Sequence, residues 1–554
     1  PQGLEQSVLL PRAALGFGDD APAAMDGESL IRAVLRAPVE LLWNGGIGTY
    51  VKSPRESHSD AGDPSNDAVR IDAHELRCEA VGEGGNLGFT QRARIEFGLA
   101  GGRVNTDAMD NSGGVDMSDH EVNLKILLAP AVAAGRMAEE GRNRLLEQLT
   151  EEVADLVLED NRTQSLGISL DELRMRESAD HFRDLMVSLE KSGELNRQGE
   201  GLPSTDVMVE RAERGPALAR PELCVLLAYA KLSLKSHLLR GTLLDDPSNA
   251  DYLRGYFPPR AIEGAGDDAL QGHRLRREII AGQITNDLVD LMGSTFVDHL
   301  VRDTGRSAEE VVGAWLVASR LAGHKAILAE MAKQQGALDA AVSYRWLRGL
   351  ARVLERATRW MLQNVDRGLS PGAVVQENAD GLARVRADFA SLVGGQDRAL
   401  FEHRVREIRA LGADEGFAQS LITLRFLDQI LEILQISRAT GAEATRTGKA
   451  YYEVSEALDL PWLRELAFTA VGEGPWGQRA ARALGEDLSR AHRKLVVAAL
   501  RAGSARDLLA SARRDMDRLR GTVGELRAEG AAGLAGASVA VRELSALAER
   551  AAGS

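Results

Sequence analysis

Between Asn105 and Asn123 the chain reads NTDAMDNSGGVDMSDHEVN, which sets Asp107, Asp110, Asp116, Asp119, His120 and Glu121 around Asn111, Ser112, Gly113, Gly114 and Ser118. Carboxylates and an imidazole at this density suggest metal binding first. Asp119, His120 and Glu121 are adjacent, however. Neighbours on a helix point about 100° apart, so these three cannot share one ion. Asp116 and His120 stand at i, i+4 and can face each other, but two ligands do not close a site. HEVNL is not the zinc helix HExxH, because Leu124 stands where the second histidine belongs. The spacing favours solvated acids at the start of a helix, where the helix dipole stabilises negative charge. No metal ligand is assigned.

A serine nucleophile fails too. The elbow G-x-S-x-G needs glycine two residues before the serine, and Asp110 occupies that place before Ser112. The third reading is a ligand loop. The Asn111 amide both donates and accepts, and Gly113 and Gly114 leave room for a flat ring to approach the backbone. Ser118 is expected in the first turn of the following helix, where a hydroxyl beside free backbone N–H groups suits a carboxylate. The competing reading is a tight strand-to-helix turn with a capping serine.

Such loops need rigid elements beneath them. Thirteen glycines fall between residues 41 and 120, far denser than the chain's 56 in 554, and they punctuate short strands. VELLW (39–43) runs into Asn44-Gly45-Gly46, ELRCEAV (75–81) into GEGGN, and GRVNTDAM (102–109) into DNSGG. Between the last two, TQRARIEFGLAGG reads as a helix capped by Thr90 and ended by Gly101. Strand, helix, strand in this order predicts a right-handed βαβ unit in a parallel sheet. Ligands of open α/β sheets bind beyond the carboxyl ends of the strands, and all three polar loops lie there. GEGGNLG is one residue too long for the dinucleotide fingerprint G-x-G-x-x-G, which the chain lacks.

From about residue 119 the helical period takes over. RLLEQLTEEVADLVLED places Leu145, Leu149, Val153, Leu156 and Val157 on one face. SLDE offers Ser169 and Glu172 as a capping box. ARPELCVLLAYAKLSLKSHLLRG has Pro221 at a helix start and Gly241 at its end. FAQSLITLRFLDQILEIL and ARDLLASARRDMDRLRGTVGELRAEG read as further helices, and SHSDAGDPSND (57–67) as an exposed loop. The fold class is therefore α/β followed by all-α.

Composition narrows the partners. The formal net charge of -15 argues against nucleic acid, which needs clustered Lys and Arg. The 2 cysteines form no CxxC, which fits a reducing cytoplasm. No run of 18 apolar residues is present, so no membrane span is expected. The chain opens PQGLEQSVLL, without initiator Met or signal peptide, and is expected to be a piece of a longer protein.

ELLWNGGIGTYVK, VGEGGNLGFTQRARIEFGLAGGRVNTDAMDNSGGVDMSDHEVNLKILL and HRLRREIIAGQITND closely resemble the large bacterial NAD-dependent glutamate dehydrogenases. The first two blocks also look like a diverged cofactor domain of ordinary glutamate dehydrogenases, whose loops read roughly E-G-A-N and N-A-G-G-V-x-x-S. The resemblance implies NAD as cofactor and oxidative deamination of L-glutamate to 2-oxoglutarate and ammonium. It places Asn86 and Asn111 at the nicotinamide ribose and ring, with Asn44, Gly45, Gly84 and Gly113 in the loops around the cofactor. Glu83 matches a loop-shaping acid in the same set. Val115 and Ser118 match substrate contacts, Ser118 to the side-chain carboxylate.

The same resemblance divides the chain. Residues 1–36 look like a remnant of an upstream catalytic core. Residues 37–165 match the C-terminal half of a Rossmann-like, doubly wound NAD-binding domain, and 166–554 an all-helical C-terminal domain. A homo-oligomer is expected through the full-length enzyme. The family's catalytic lysines, substrate domain and pyrophosphate loop would lie upstream. Lys52 and Lys125, the two lysines of the glycine-rich part, do not sit where its catalytic lysine belongs, so no catalytic residue is assigned here and no turnover is expected of this chain alone. Two alternatives stand beside this reading: another amino-acid dehydrogenase of the superfamily, or a helical interaction scaffold.

Overall fold

The computed structural model describes residues 15–16, 24–334, 339–368, 370–469, 474–529 and 533–553. Residues 1–14 and 17–23, much of the segment expected to be an upstream remnant, lie outside them. The chain divides into two compact units, Pro1–Gly313 and Ala314–Ser554.

The first unit holds five short strands among its described residues: β1 (Leu41–Asn44), β2 (Val51–Lys52), β3 (Ile71–Asp72), β4 (Ala80–Glu83) and β5 (Arg103–Val104). The first helix, α1 (Gly27–Leu35), precedes them. Strands β1, β4 and β5 form a parallel sheet in the order β1-β4-β5, with Leu41 opposite Ala80 and Ala80 opposite Arg103. Strands β2 and β3 pair as a second parallel ladder. The expected strand–helix–strand unit is β4, α2 (Gln91–Leu99) and β5. The Thr90 hydroxyl caps α2 by accepting the Ala93 N–H at 3.2 Å. Gly101, at φ +100°, turns the chain out of it, a conformation that L side chains rarely adopt. Val51, Ile71, Val81, Phe89, Phe97 and Val104 are buried together in one apolar core.

Both later strands are shorter than the sequence suggests. In ELRCEAV, pairing begins only at Ala80, because Glu75 curls back to accept the Asp72 N–H at 2.9 Å and closes a 3-10 turn over Ala73–Glu75. In GRVNTDAM, pairing ends at Val104. The Thr106 carbonyl accepts from Met109 and Asp110 N–H groups at 3.0 and 3.1 Å, which opens α3 (Asp107–Asp110).

Helix α4 (Ser112–Ala133) follows α3 with only Asn111 between them. This moves two expectations. Asp116, Asp119, His120 and Glu121 lie in the interior of α4 rather than at its start, and Ser118 is its seventh residue rather than part of its first turn. Further helices are α5 (Glu139–Gln148), α6 (Thr150–Glu177), α7 (Ala179–Lys191), α8 (Thr205–Ala212), α9 (Arg220–Arg240), α10 (Ala250–Tyr256), α11 (Pro259–Ala265), α12 (Asp267–Gln271) and α13 (Arg276–Met292).

RLLEQLTEEVADLVLED is thus two helices, hinged at Leu149, whose side chain is fully buried at the corner. The capping box expected at Ser169 and Glu172 does not form, because α6 runs through both. They hold Arg220 instead, at 3.1 and 2.7 Å. The boundary expected after residue 165 falls within the same helix. Pro221 and Gly241 mark the two ends of α9 as expected.

Every secondary-structure element among the second unit's described residues is a helix. FAQSLITLRFLDQILEIL spans two helices, Glu415–Thr423 and Leu427–Thr440, joined by a 3-10 turn. Its buried Glu432 accepts from Tyr451 at 2.7 Å and Arg493 at 2.9 Å. No single helix among the described residues is long and apolar enough to cross a membrane.

Candidate functional site

Three loops leave the carboxyl ends of β1, β4 and β5, and backbone contacts lock the first two together. The Asn44 carbonyl accepts the N–H groups of Gly84 at 2.9 Å and Gly85 at 3.1 Å. A Cβ on Gly85 would collide with the Gly46 carbonyl, and one on Gly84 would lie 2.5 Å from the Trp43 indole. Gly82 makes room for the same ring. The spaced glycines of GEGG therefore seat an indole. That explains a glycine pattern close to, but not matching, a phosphate loop.

The second and third loops are tied by acids. Asp110 accepts the Glu83 N–H at 2.9 Å and the Asn105 amide at 2.6 Å. Asp107 accepts the Leu87 N–H at 2.8 Å and lies 3.3 Å from Arg94. These two members of the acidic stretch act as ties between loops. Leu87 itself sits at φ +58°, a conformation uncommon outside glycine, with its side chain exposed. Strain of this kind concentrates at ligand sites.

The structure brings some of the expected residues directly together. The Asn111 amide donates to the Asn86 side-chain oxygen at 2.8 Å, joining the loops after β4 and β5 at the surface. Val115 and Ser118 follow Asn111 by four and seven residues, which returns them to about the same direction on α4. Both are exposed. Among the described residues the Ser118 hydroxyl has only a long contact to the Gly114 carbonyl, 3.5 Å. Because its backbone lies inside α4, the hydroxyl alone is on offer there.

Other expected residues face elsewhere. Gly113 turns toward α6, where an added Cβ would lie 3.3 Å from Val157, so it serves helix packing. Gly114 accommodates the Asn111 amide, 2.9 Å from where a Cβ would stand. Glu83 is fully buried and grips Arg94 through both oxygens, at 2.6 and 2.9 Å, while accepting the Phe89 N–H at 3.2 Å. Burial pushes its carboxyl up, with Arg94 opposing. Its carboxylate shapes the loop from within. Gly45 and Asn44 lie at the tip of β1; the Asn44 side-chain nitrogen is buried with no hydrogen-bond partner among the described residues. Lys52 is paired with Asp72, and Lys125 with Glu121 at 2.5 Å.

Sequence reasoning missed Trp43, Arg94 and Leu87. Only Trp43 left a signal, an aromatic at a strand end opposite two glycines one residue apart. The assembled surface is a row of neutral donors and acceptors, Asn86, Asn111 and Ser118, beside an apolar Val115. It can orient a ring and a carboxylate, and it holds no group placed to move a proton.

A family profile described as "Glutamate dehydrogenase, C-terminal" matches residues 215–546, and one described as "Bacterial NAD-glutamate dehydrogenase, catalytic domain" matches residues 10–171. The chain is 41% identical over 471 residues to the NAD-specific glutamate dehydrogenase of Pseudomonas aeruginosa, which covers 85% of the chain and 29% of that protein. It is 36% identical over 501 residues to the protein of the same name from Halomonas elongata (90% of the chain, 31% of that protein). The Mycobacterium tuberculosis protein of that name is 36% identical over 551 residues (96% and 33%). The chain thus spans about a third of the length of these relatives.

Proposed function

Because this chain belongs to the bacterial NAD-glutamate dehydrogenase family, we propose that it forms one wall of the active site of an enzyme that deaminates L-glutamate oxidatively to 2-oxoglutarate and ammonium. The observation that carries this is the Asn86–Asn111 hydrogen bond at the carboxyl ends of parallel strands, with Val115 and Ser118 on the adjoining face of α4. In this reading residues 37–165 are the C-terminal half of a doubly wound, Rossmann-like NAD-binding domain. The order β1-β4-β5 leaves β1 at an edge with Leu41 and Trp43 57% and 62% exposed, which supports further strands being added there. Residues 166–554 are the helical domain, and the enzyme is a cytoplasmic homo-oligomer.

NAD, when bound, would supply the acceptor for a hydride from the glutamate α-carbon. The residues present fit such a group. Asn86, exposed, and Asn111, half-exposed, offer amides for its ribose and carboxamide. Val115 lies against the substrate's methylenes, and Ser118 donates to its side-chain carboxylate. The site binds and orients, and near-attack geometry is what such positioning contributes to rate.

Two measurements check this. In the intact enzyme, Asn111→Ala removes the amide that meets the cofactor and frees Asn86. Neutral hydrogen bonds contribute about 0.5–1.5 kcal/mol each, so NADH binding is expected to weaken up to about tenfold, with the glutamate KM little changed. An unaltered NADH affinity by calorimetry argues against the assignment. The chain alone is expected to give no glutamate-dependent NADH formation, because its described site residues include no group that moves a proton; measurable turnover would refute that.

A further inference from the structure

We propose that Asp116 and His120 of α4, together with Asp160 of α6, form a binding site for one divalent transition-metal ion, on the side of α4 away from Val115 and Ser118. The sequence showed only the first two, at i, i+4. Asp160 is 40 residues further on, and packing of α6 against α4 brings it in. The three donor atoms lie within 4.8 Å of one another, with Asp116 Oδ1 3.8 Å from His120 Nε2.

Two independent features point to a missing cation. First, His120 is 1% exposed, yet neither ring nitrogen has a hydrogen-bond partner among the described residues. An orphaned buried donor or acceptor costs about 1–3 kcal/mol. The ring is instead fixed by stacking on Tyr256, with centroids 4.1 Å apart and planes within 10°, and the Tyr256 hydroxyl is held by Asn123 at 2.9 Å. An imidazole oriented without using its nitrogens is left with them free to ligate. Second, Asp116 and Asp160 approach each other, and neither forms a salt bridge to a lysine or arginine among the described residues. Lys231 of α9, beside Asp160, is committed to Asp290 at 2.7 Å and Gln164 at 3.4 Å. No side chain among the described residues hydrogen-bonds to either carboxylate, so both can rotate to close on an ion.

The donor set selects the ion class. One imidazole with two carboxylates suits Zn²⁺, Mn²⁺ or Co²⁺; calcium and magnesium prefer oxygen alone. Three protein ligands leave a position open. Asp116 and Asp160 line a cavity of about 420 Å³ together with Ser112, Asn123, Gln164, Lys231 and Lys235, which has room for coordinating water. Such an ion would clamp α4 to α6 behind the helix that presents Ser118.

The test uses the untagged full chain, stripped with EDTA and loaded separately with Zn²⁺, Mn²⁺ and Co²⁺. Elemental analysis after gel filtration is expected to find about one equivalent of at least one ion. That ion should raise Tm, as a ligand selective for the folded state must. Asp160→Asn, isosteric and half-exposed, is expected to weaken binding at least about tenfold with an unchanged circular dichroism spectrum. Asp116→Asn serves as the second variant. Failure of all three ions to bind, or binding that survives both substitutions, would overturn the site.

Discussion

Arg94→Ala is expected to cost about 3–5 kcal/mol of stability, the range for removing one partner of a buried ion pair. Arg94 is 3% exposed, and Glu83, its partner at 2.6 and 2.9 Å, is fully buried. The large figure reflects the group left behind. Without the guanidinium, Glu83 retains only the Phe89 N–H, in a site where burial already raises its pKa. The loss is also local to the loops. Arg94 reaches Asp107, and Asp107 and Asp110 tie the loop after β4 to the loop after β5.

The pH dependence follows from the sign of that shift. A carboxyl whose folded pKa exceeds its unfolded value binds more protons folded than unfolded between the two, so stability falls as pH rises through that window. Loss of Arg94 raises the folded value further. The deficit of the variant should therefore be greater at pH 8 than near pH 5, where the buried carboxyl regains its proton. Glu83→Gln in the Arg94→Ala background should recover part of the loss, because the two residues couple strongly. Urea midpoints of the three proteins at both pH values decide it. A loss below about 1 kcal/mol for Arg94→Ala would mean that the pair behaves as a solvated one.

What could be read in the sequence was what local chemistry settles. Thr90 as a cap, Pro221 and Gly241 as helix ends, and polar loops at strand ends depend on neighbours a few residues away. So does the resemblance that nominated Asn86 and Asn111, although only the folded chain shows that those two amides meet. The misses come from partners far along the chain. Ser169 and Glu172 have the spacing of a capping box, but Arg220, 51 and 48 residues away, uses both inside a continuous helix. The apolar stripe around Leu149 continues across a break, because a corner buries leucine as well as a helix face does. The acids between Asp107 and Glu121 looked like one group. Folding separates them into loop ties at Asp107 and Asp110, a surface pair at Glu121, and Asp116 with His120 turned toward Asp160. No spacing rule joins residues 116 and 160.

Ser118→Ala separates a substrate contact from a structural residue. The hydroxyl is exposed on α4 and makes only the 3.5 Å contact to Gly114. Alanine in a helix interior is at least as favourable as serine, so the variant should fold with equal or slightly greater stability. If Ser118 donates to the side-chain carboxylate of glutamate, it forms a hydrogen bond to a charged group, which contributes about 1.5–3 kcal/mol. In the intact enzyme, kcat/KM for glutamate should then fall roughly 10- to 150-fold, carried mainly by KM. The KM for NAD should hold, the reverse of the pattern expected for Asn111→Ala. An apolar amino acid such as norvaline should gain relative to glutamate, because a site built around a polar contact rejects analogues that leave it unpaired, and alanine removes that penalty. Equal losses on both amino acids would make Ser118 a residue that positions the cleft rather than one that reads the carboxylate. An unchanged glutamate KM would remove it from the site and, with it, the main reason for preferring glutamate over another amino acid.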